Sequence, residues 1–257
     1  MSTPADGTAD GAAGGGVRVD HAVTSGTFSL DGETHQVDNN VWVLGDEAEC
    51  VVIDAPHSVE DILAVVGERT VKAIVLTHAH DDHCRVAPAL REAVNGGSGA
   101  PILLHPDERP LWELTHGGPD DPDATLWDVD LVDGQVIEVA GTSLRVIHTP
   151  GHAPGAVCLY APDLGVLFTG DTLFQGGPGA TGRSYSDRPT LEASIRASLF
   201  ELPEETVVHT GRGDETTGQI GRRDVNDEFD LEARLGDGLD KRLLRVTPED
   251  EARRLDA

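Results

Sequence analysis

The run THAHDDH, residues 77–83, puts three histidines and two aspartates into seven positions of a chain with 11 histidines in 257 residues. It closes VKAIVLT, a short, β-branched and almost continuously apolar run that reads as a buried strand. A buried strand that ends in ligand-type side chains puts those side chains on the rim of a sheet, where a rigid scaffold presents its loops. Spacing of two sends His78 and His80 to one side of an extended turn, and Asp82 and His83 start the helix that follows in VAPALREAV. The stretch is either a histidine-rich polar turn or half of a metal site, and the rest of the chain has to decide.

Three other strand ends carry ligand-type residues beside glycine: TPGH with His152, TGDTLF with Asp171, and VVHTG with His209. Glycine there lets backbone and loop approach a central point closely. His78, His80, Asp82, His83, His152, Asp171 and His209 make seven candidates. One zinc takes four ligands, one of them often water, so seven suit two ions that share Asp171 as a bridging carboxylate. Imidazole and carboxylate without thiolate favour zinc, with manganese or iron as alternatives. Cys50, Cys84 and Cys158 are odd in number and widely spaced, which fits neither a disulfide framework nor a CxxC clip.

Elsewhere VRVDHAV and TFSL lead through an Asp31-Gly32 turn into ETHQV, and NNVWVLG and ECVVIDA read as apolar strands. Ser58 caps a helix in VEDILAVVGER. APILLH, QVIEV, SLRVIHT, AVCLYA, GVLFTG and TVVHTG read as further strands, with helices in LWELTH and TLEASIRASLF. Strands dominate each half with helices between and after them, which predicts an α+β domain of two packed sheets with helices outside. The domain is expected over 17–220. Residues 1–16, small and glycine-rich, read as a disordered tail, and the acidic 221–257 as an extension with a surface helix around DLEARLGDGLDKRLLRV.

The net charge of −27 argues against a nucleic-acid partner, because phosphates are repelled at long range. Lys72 and Lys241 are the only lysines. A lysine-poor, aspartate-rich chain suits high salt, though a GC-rich genome gives the same bias. No run approaches the ~20 apolar residues of a membrane span, and the start is unlike a signal peptide, so a cytoplasmic protein without a membrane partner is expected. Oligomeric state is not legible.

On THAHDDH, TPGH, TGDTLF and VVHTG, from about residue 36 to about 218, the chain resembles the metallo-beta-lactamase superfamily, in its glyoxalase II-like hydrolase branch. The resemblance implies a four-layer αββα sandwich with the metals at one edge between the sheets. It implies that His78, His80 and His152 bind one ion, that Asp82, His83 and His209 bind a second, and that Asp171 bridges. Asp54 resembles the acidic residue that orients a ligand. Two features depart from glyoxalase II. The tail is too short and polar to be its helical glutathione-binding domain, and VVHTGRGD differs around the last histidine. GGPGATGRSYSD resembles actinobacterial members that work on thiol conjugates, which makes Arg183 and Tyr185 candidate substrate contacts.

The expected reaction is hydrolysis of a thioester of a small cellular thiol. Water at the ions becomes hydroxide near neutral pH, oriented by Asp82 as the catalytic carboxylate. GxSxG is absent, so no serine nucleophile is expected. The alternatives are a persulfide dioxygenase with one iron on His78 or His80, His152 and Asp171, a lactonase or β-lactamase, and a non-enzymatic metal-binding module.

Overall fold

The computed structural model describes residues 16–217. The reading of 1–16 as a tail, except at Gly16, and of 221–257 as an extension with a helix lies outside the described residues.

The first sheet holds β1 (Arg18–Leu30), β2 (Glu33–Gly45), β3 (Glu49–Ile53), β4 (Thr70–Val75), β5 (Ile102–Leu104) and β6 (Val129–Asp130), in that order. Two short strands read from the sequence fuse on each side of the first turn. The β1–β2 register runs unbroken from Arg18↔Gly45 to Leu30↔Glu33, giving two strands of 13 residues. Asp31 and Gly32 turn between them at φ 55° and 79°, the left-handed pair that matches the twist of a tight hairpin. The pairs β1–β2 and β2–β3 are antiparallel, and β3–β4, β4–β5 and β5–β6 are parallel.

The second sheet is built from β7 (Val136–Val139), β8 (Thr142–His148), β9 (Val157–Ala161) and β10 (Val166–Gly170) as an antiparallel meander. A small ribbon, β11 (Leu173–Phe174) with β12 (Gly177–Pro178), leaves the end of β10. The chain returns to the sheet as β13 (Val207–Thr210), parallel to β10, and β14 (Thr216–Thr217) completes the edge. The ribbon and β14 were not read from the sequence; strands of two residues carry no periodic signal.

Period-two alternation sorts the core into layers. Cys50 and Val52 of β3, with Val71 and Ile74 of β4, face a cluster with Ile62, Leu90, Leu111 and Trp112. These come from the helices α1 (Val59–Val66), α3 (Ala87–Ala93) and α4 (Arg109–His116), while α2 (Asp81–Cys84) is the turn after THAHDDH. Val51, Ile53, Ala73 and Val75 face the other way, onto Leu144, Val146, Leu159 and Phe168 of the second sheet. The outer face of that sheet, Ile147, Cys158 and Leu167, is covered by α5 (Arg188–Ser194) and a π-helical turn over Ile195–Leu199. Each fully buried Ile, Leu or Phe contributes about 1.5–3 kcal/mol, so the three apolar layers hold the four-layer αββα sandwich together. The expected fold class is the observed one. No helix among the described residues is long and apolar enough to cross a membrane.

Because β3 and β4 are parallel, and β10 and β13 likewise, four C-terminal strand ends can share one rim. The sheets are stitched there by Val157 N–H donating to the Thr77 carbonyl at 2.9 Å.

Candidate metal centre

Three imidazoles meet at that rim. His78 Nε2 lies 3.0 Å from His80 Nδ1, which lies 3.1 Å from His152 Nε2. Their protonation follows from what surrounds them. Thr77 Oγ1 gives its single hydrogen to Asp54, so it accepts from His78 Nδ1–H at 3.1 Å. His152 Nδ1–H donates to the Ala180 carbonyl at 2.8 Å. Both rings therefore aim a bare Nε2 lone pair at His80. Burial, then the neighbouring imidazoles, holds His78 well below the usual histidine range, and burial lowers His80 and His152 as well. All three are in the neutral form that binds metal.

A divalent cation fits this group. Without one, a proton on His80 Nδ1 serves only one of the two facing lone pairs, and His80 Nε2 is buried with no hydrogen-bond partner. Two nitrogens on one tetrahedral zinc stand about 3.3 Å apart, close to the spacings seen. All three rings are nine-tenths buried or more.

The neighbouring carboxylates form a second, different assembly. Asp54, at the end of β3 with φ 63°, accepts from Thr77 N–H at 2.8 Å, from Thr77 Oγ1–H, and from His83 Nδ1–H at 2.8 Å. These bonds tie it to His83 directly and to His78 through Thr77. His83 Nε2 lies 3.2 Å from Asp171 Oδ1 and 3.8 Å from Asp82 Oδ2. Burial opposes the charge on His83, but Asp171, Asp82 and Asp54 outweigh it and push its pKa well above the ordinary value. Asp171 resists its own burial in the same way: Arg212 and then His83 hold it well below the carboxylate range. His78, His83 and Asp171 bring ligand atoms within 4.8 Å of one another, as His78, His80 and His152 do.

Asp171 follows Gly170, whose φ of 48° and close approach to Thr77 (a Cβ would lie 2.4 Å from Oγ1) require glycine. Asp82 is fully buried. Its Oδ2 takes the Asn39 amide at 2.9 Å and its Oδ1 has no hydrogen-bond partner.

His209 is the expected ligand that the structure leaves out of both groups. Its ring is held at 4.4 Å from Trp42 and 5.0 Å from Phe168, and its Nδ1 lies 2.9 Å from the Glu215 carboxylate. The turn of this strand-end residue away from both groups follows from β13's alternation, which packs its ring against the inter-sheet core. In its place stands Arg212, three residues on: Nη2 is 2.6 Å from Asp82 Oδ2 and 2.9 Å from Asp171 Oδ2. Ligand-type counting could not find an arginine; the departure of VVHTGRGD from the glyoxalase II pattern was the available signal.

Glu108 was missed too. Fully buried, it accepts from Ala79 N–H through Oε2 and from Gly155 N–H through Oε1, each at 2.6 Å, so one carboxyl ties the His78–His80 turn to the His152 loop. Arg183 lies over the Phe28 ring at 5.1 Å, and that ring also meets His80 at 5.1 Å and Arg212 at 5.6 Å, which places Arg183 at the rim. Tyr185 is half exposed. The three cysteines are buried and unpaired.

An αββα sandwich with this donor set at one sheet edge defines a metal-dependent hydrolase fold. Residues 36–212 match the family model of the metallo-beta-lactamase superfamily, and the chain belongs to that superfamily. It is 31% identical over 195 residues to "Hydroxyacylglutathione hydrolase GloC" of Haemophilus influenzae, covering 74% of this chain and 90% of that protein, in keeping with the glyoxalase II-like branch. Among solved structures it is similar to TTHA1623 in a di-iron-bound form, at TM-score 0.63 and 33% identity over 74% of this chain and 94% of that one. It is also similar to ETHE1 from Myxococcus xanthus, at TM-score 0.57 and 26% identity over 76% and 80%.

Proposed function

We propose that this protein hydrolyses a thioester of a small cellular thiol at a metal held by His78, His80 and His152. The observation that carries the metal half is the convergence of three neutral imidazole nitrogens with tautomers fixed by Thr77 and Ala180. The likeness to a hydroxyacylglutathione hydrolase over nine-tenths of its length supports the thioester half. A divalent ion in this group, zinc first and iron or manganese next by donor type, would bring the pKa of water down to about 7 and polarise a carbonyl.

The chain's own residues do the rest. Asp82 Oδ1, buried and without a partner, takes the proton of the attacking water and passes it to the leaving sulfur. Asn39 holds Asp82 in place through Oδ2, and Asn39 is itself held by His57, whose Nε2–H donates to its Oδ1 at 3.0 Å. Arg183, which lies over Phe28, would meet an anionic group of the thiol, and the half-exposed Tyr185, two residues on, is offered as a further contact. The net charge of −27 makes a nucleic-acid substrate unfavourable. A panel of S-acyl thioesters tests the reading: thiol and carboxylate should appear together with no oxygen consumed.

A second reading, oxidation of a persulfide at one iron, is favoured by Arg212 standing where a second ion was expected. Oxygen uptake with a glutathione persulfide, and no turnover of any thioester, is its signature.

A further inference from the structure

The pair of carboxylates expected to hold a second metal already holds a cation that belongs to the chain. A zinc ion between Asp82 and Asp171 would stand about 2.0–2.2 Å from each oxygen. Arg212 Nη2, at 2.6 and 2.9 Å from the two Oδ2 atoms, occupies that space, so ion and guanidinium exclude one another. The last imidazole expected for that ion, His209, packs against Trp42 and Phe168 instead.

Arg212 does not reach in from a loose loop. Asn40 Nδ2 donates to the carbonyls on either side of it, Thr210 at 3.0 Å and Gly213 at 2.9 Å, and Asn40 N–H donates to the Gly211 carbonyl at 2.8 Å. Thr210 Oγ1–H donates to the Arg212 carbonyl at 2.8 Å. Gly211 passes so close to Asp171 that a Cβ would fall 2.4 Å from Oδ1, which lets the next side chain turn onto the carboxylates. Five N–H donors in a fixed fork, never deprotonated in a protein, suit two buried carboxylates well.

We infer that this centre takes one divalent ion, at His78, His80 and His152, and that the Arg212 guanidinium is its second cation, fixed in the chain in place of an exchangeable metal. Asp82 and Asp171 are then oriented by Arg212 and stay oriented whether or not the ion is present. The inference rests on the metal half of the function proposed above and is independent of the thioester half.

Bound metal decides it. Metal-free protein is loaded with excess Co2+, freed of unbound ion by gel filtration, and assayed for cobalt per chain by elemental analysis. One ion per wild-type chain is expected, and two in Arg212→His, which removes the guanidinium and supplies an imidazole. Should that variant not fold, Arg212→Gln removes the charge and is expected to admit a second Co2+ between Asp82 and Asp171. Two ions of comparable affinity in the wild type overturn the inference, and so does a stoichiometry of one in the folded variant. A wild type that binds no Co2+ would defeat the metal centre itself, a result distinct from both.

Discussion

Asp82 is buried between Asn39 and Arg212, and its Oδ1 has no hydrogen-bond partner. That position makes a sharp expectation for Asp82→Asn. The amide keeps the volume but can no longer take a proton. Thioester turnover should drop by at least about 10²-fold, the order seen when a general base is removed. Metal bound at His78, His80 and His152 should stay, because Asp82 is outside that group. Full activity in the variant would remove Asp82 from the mechanism. At this scale the sequence showed His78, His80, His83, His152, Asp171 and Asp54, since each is a ligand type beside a strand end. His209 satisfied the same rule and failed, because alternation along β13 decides which way a strand-end side chain points. Arg212, Asn39 and Glu108 gave no such signal: arginine and asparagine are not ordinary metal ligands, Glu108 sits in the helical turn Pro106–Glu108 rather than beside a strand end, and their partners are distant in sequence.

Elements were legible where their signal was periodic or capped. Ser58 accepts from Asp61 N–H at 3.1 Å and starts α1 where the sequence placed it. The β1–β2 hairpin turned on Asp31-Gly32 as read, though its strands proved longer because nothing in the register interrupts them. The clamp between elements was not legible, and it yields a pH expectation. Burial pushes the Glu108 carboxyl from 4.5 up to about 7, against the pull of the two N–H groups. An acid raised on folding binds more protons in the native state between those values. Its stabilising contribution is full below pH 4.5 and is lost as pH rises through 7, a change of about 3 kcal/mol in order of magnitude. Glu108→Gln lacks this titration and turns an amide N–H against a backbone donor. The variant should be less stable than wild type at pH 4.5, with a gap that narrows towards pH 7.5. Urea unfolding at several pH values measures it; a gap that widens with pH contradicts the assignment.

The whole molecule carries 46 acidic against 19 basic residues. Self-repulsion of that size opposes the compact state, and salt shortens its range from about 10 Å at 0.1 M to about 3 Å at 1 M. Tm should therefore rise between about 0.1 and 2 M KCl; a Tm that is flat or falls would show that the charge is balanced locally. The architecture was legible at this scale because strand order and burial pattern alone require two sheets with helices outside. The stacking of layers, with four strand ends on one rim, turns scattered histidines into a centre. Metal-dependent thioester cleavage at this centre is measured most directly by thiol release from S-lactoylglutathione before chelation, after it, and on return of metal. Chelation should abolish turnover, and about one equivalent of Zn2+, Fe2+ or Mn2+ should restore it. Turnover indifferent to chelation, or a metal-loaded protein that cleaves no acyl thioester and instead consumes oxygen with a persulfide, would contradict it.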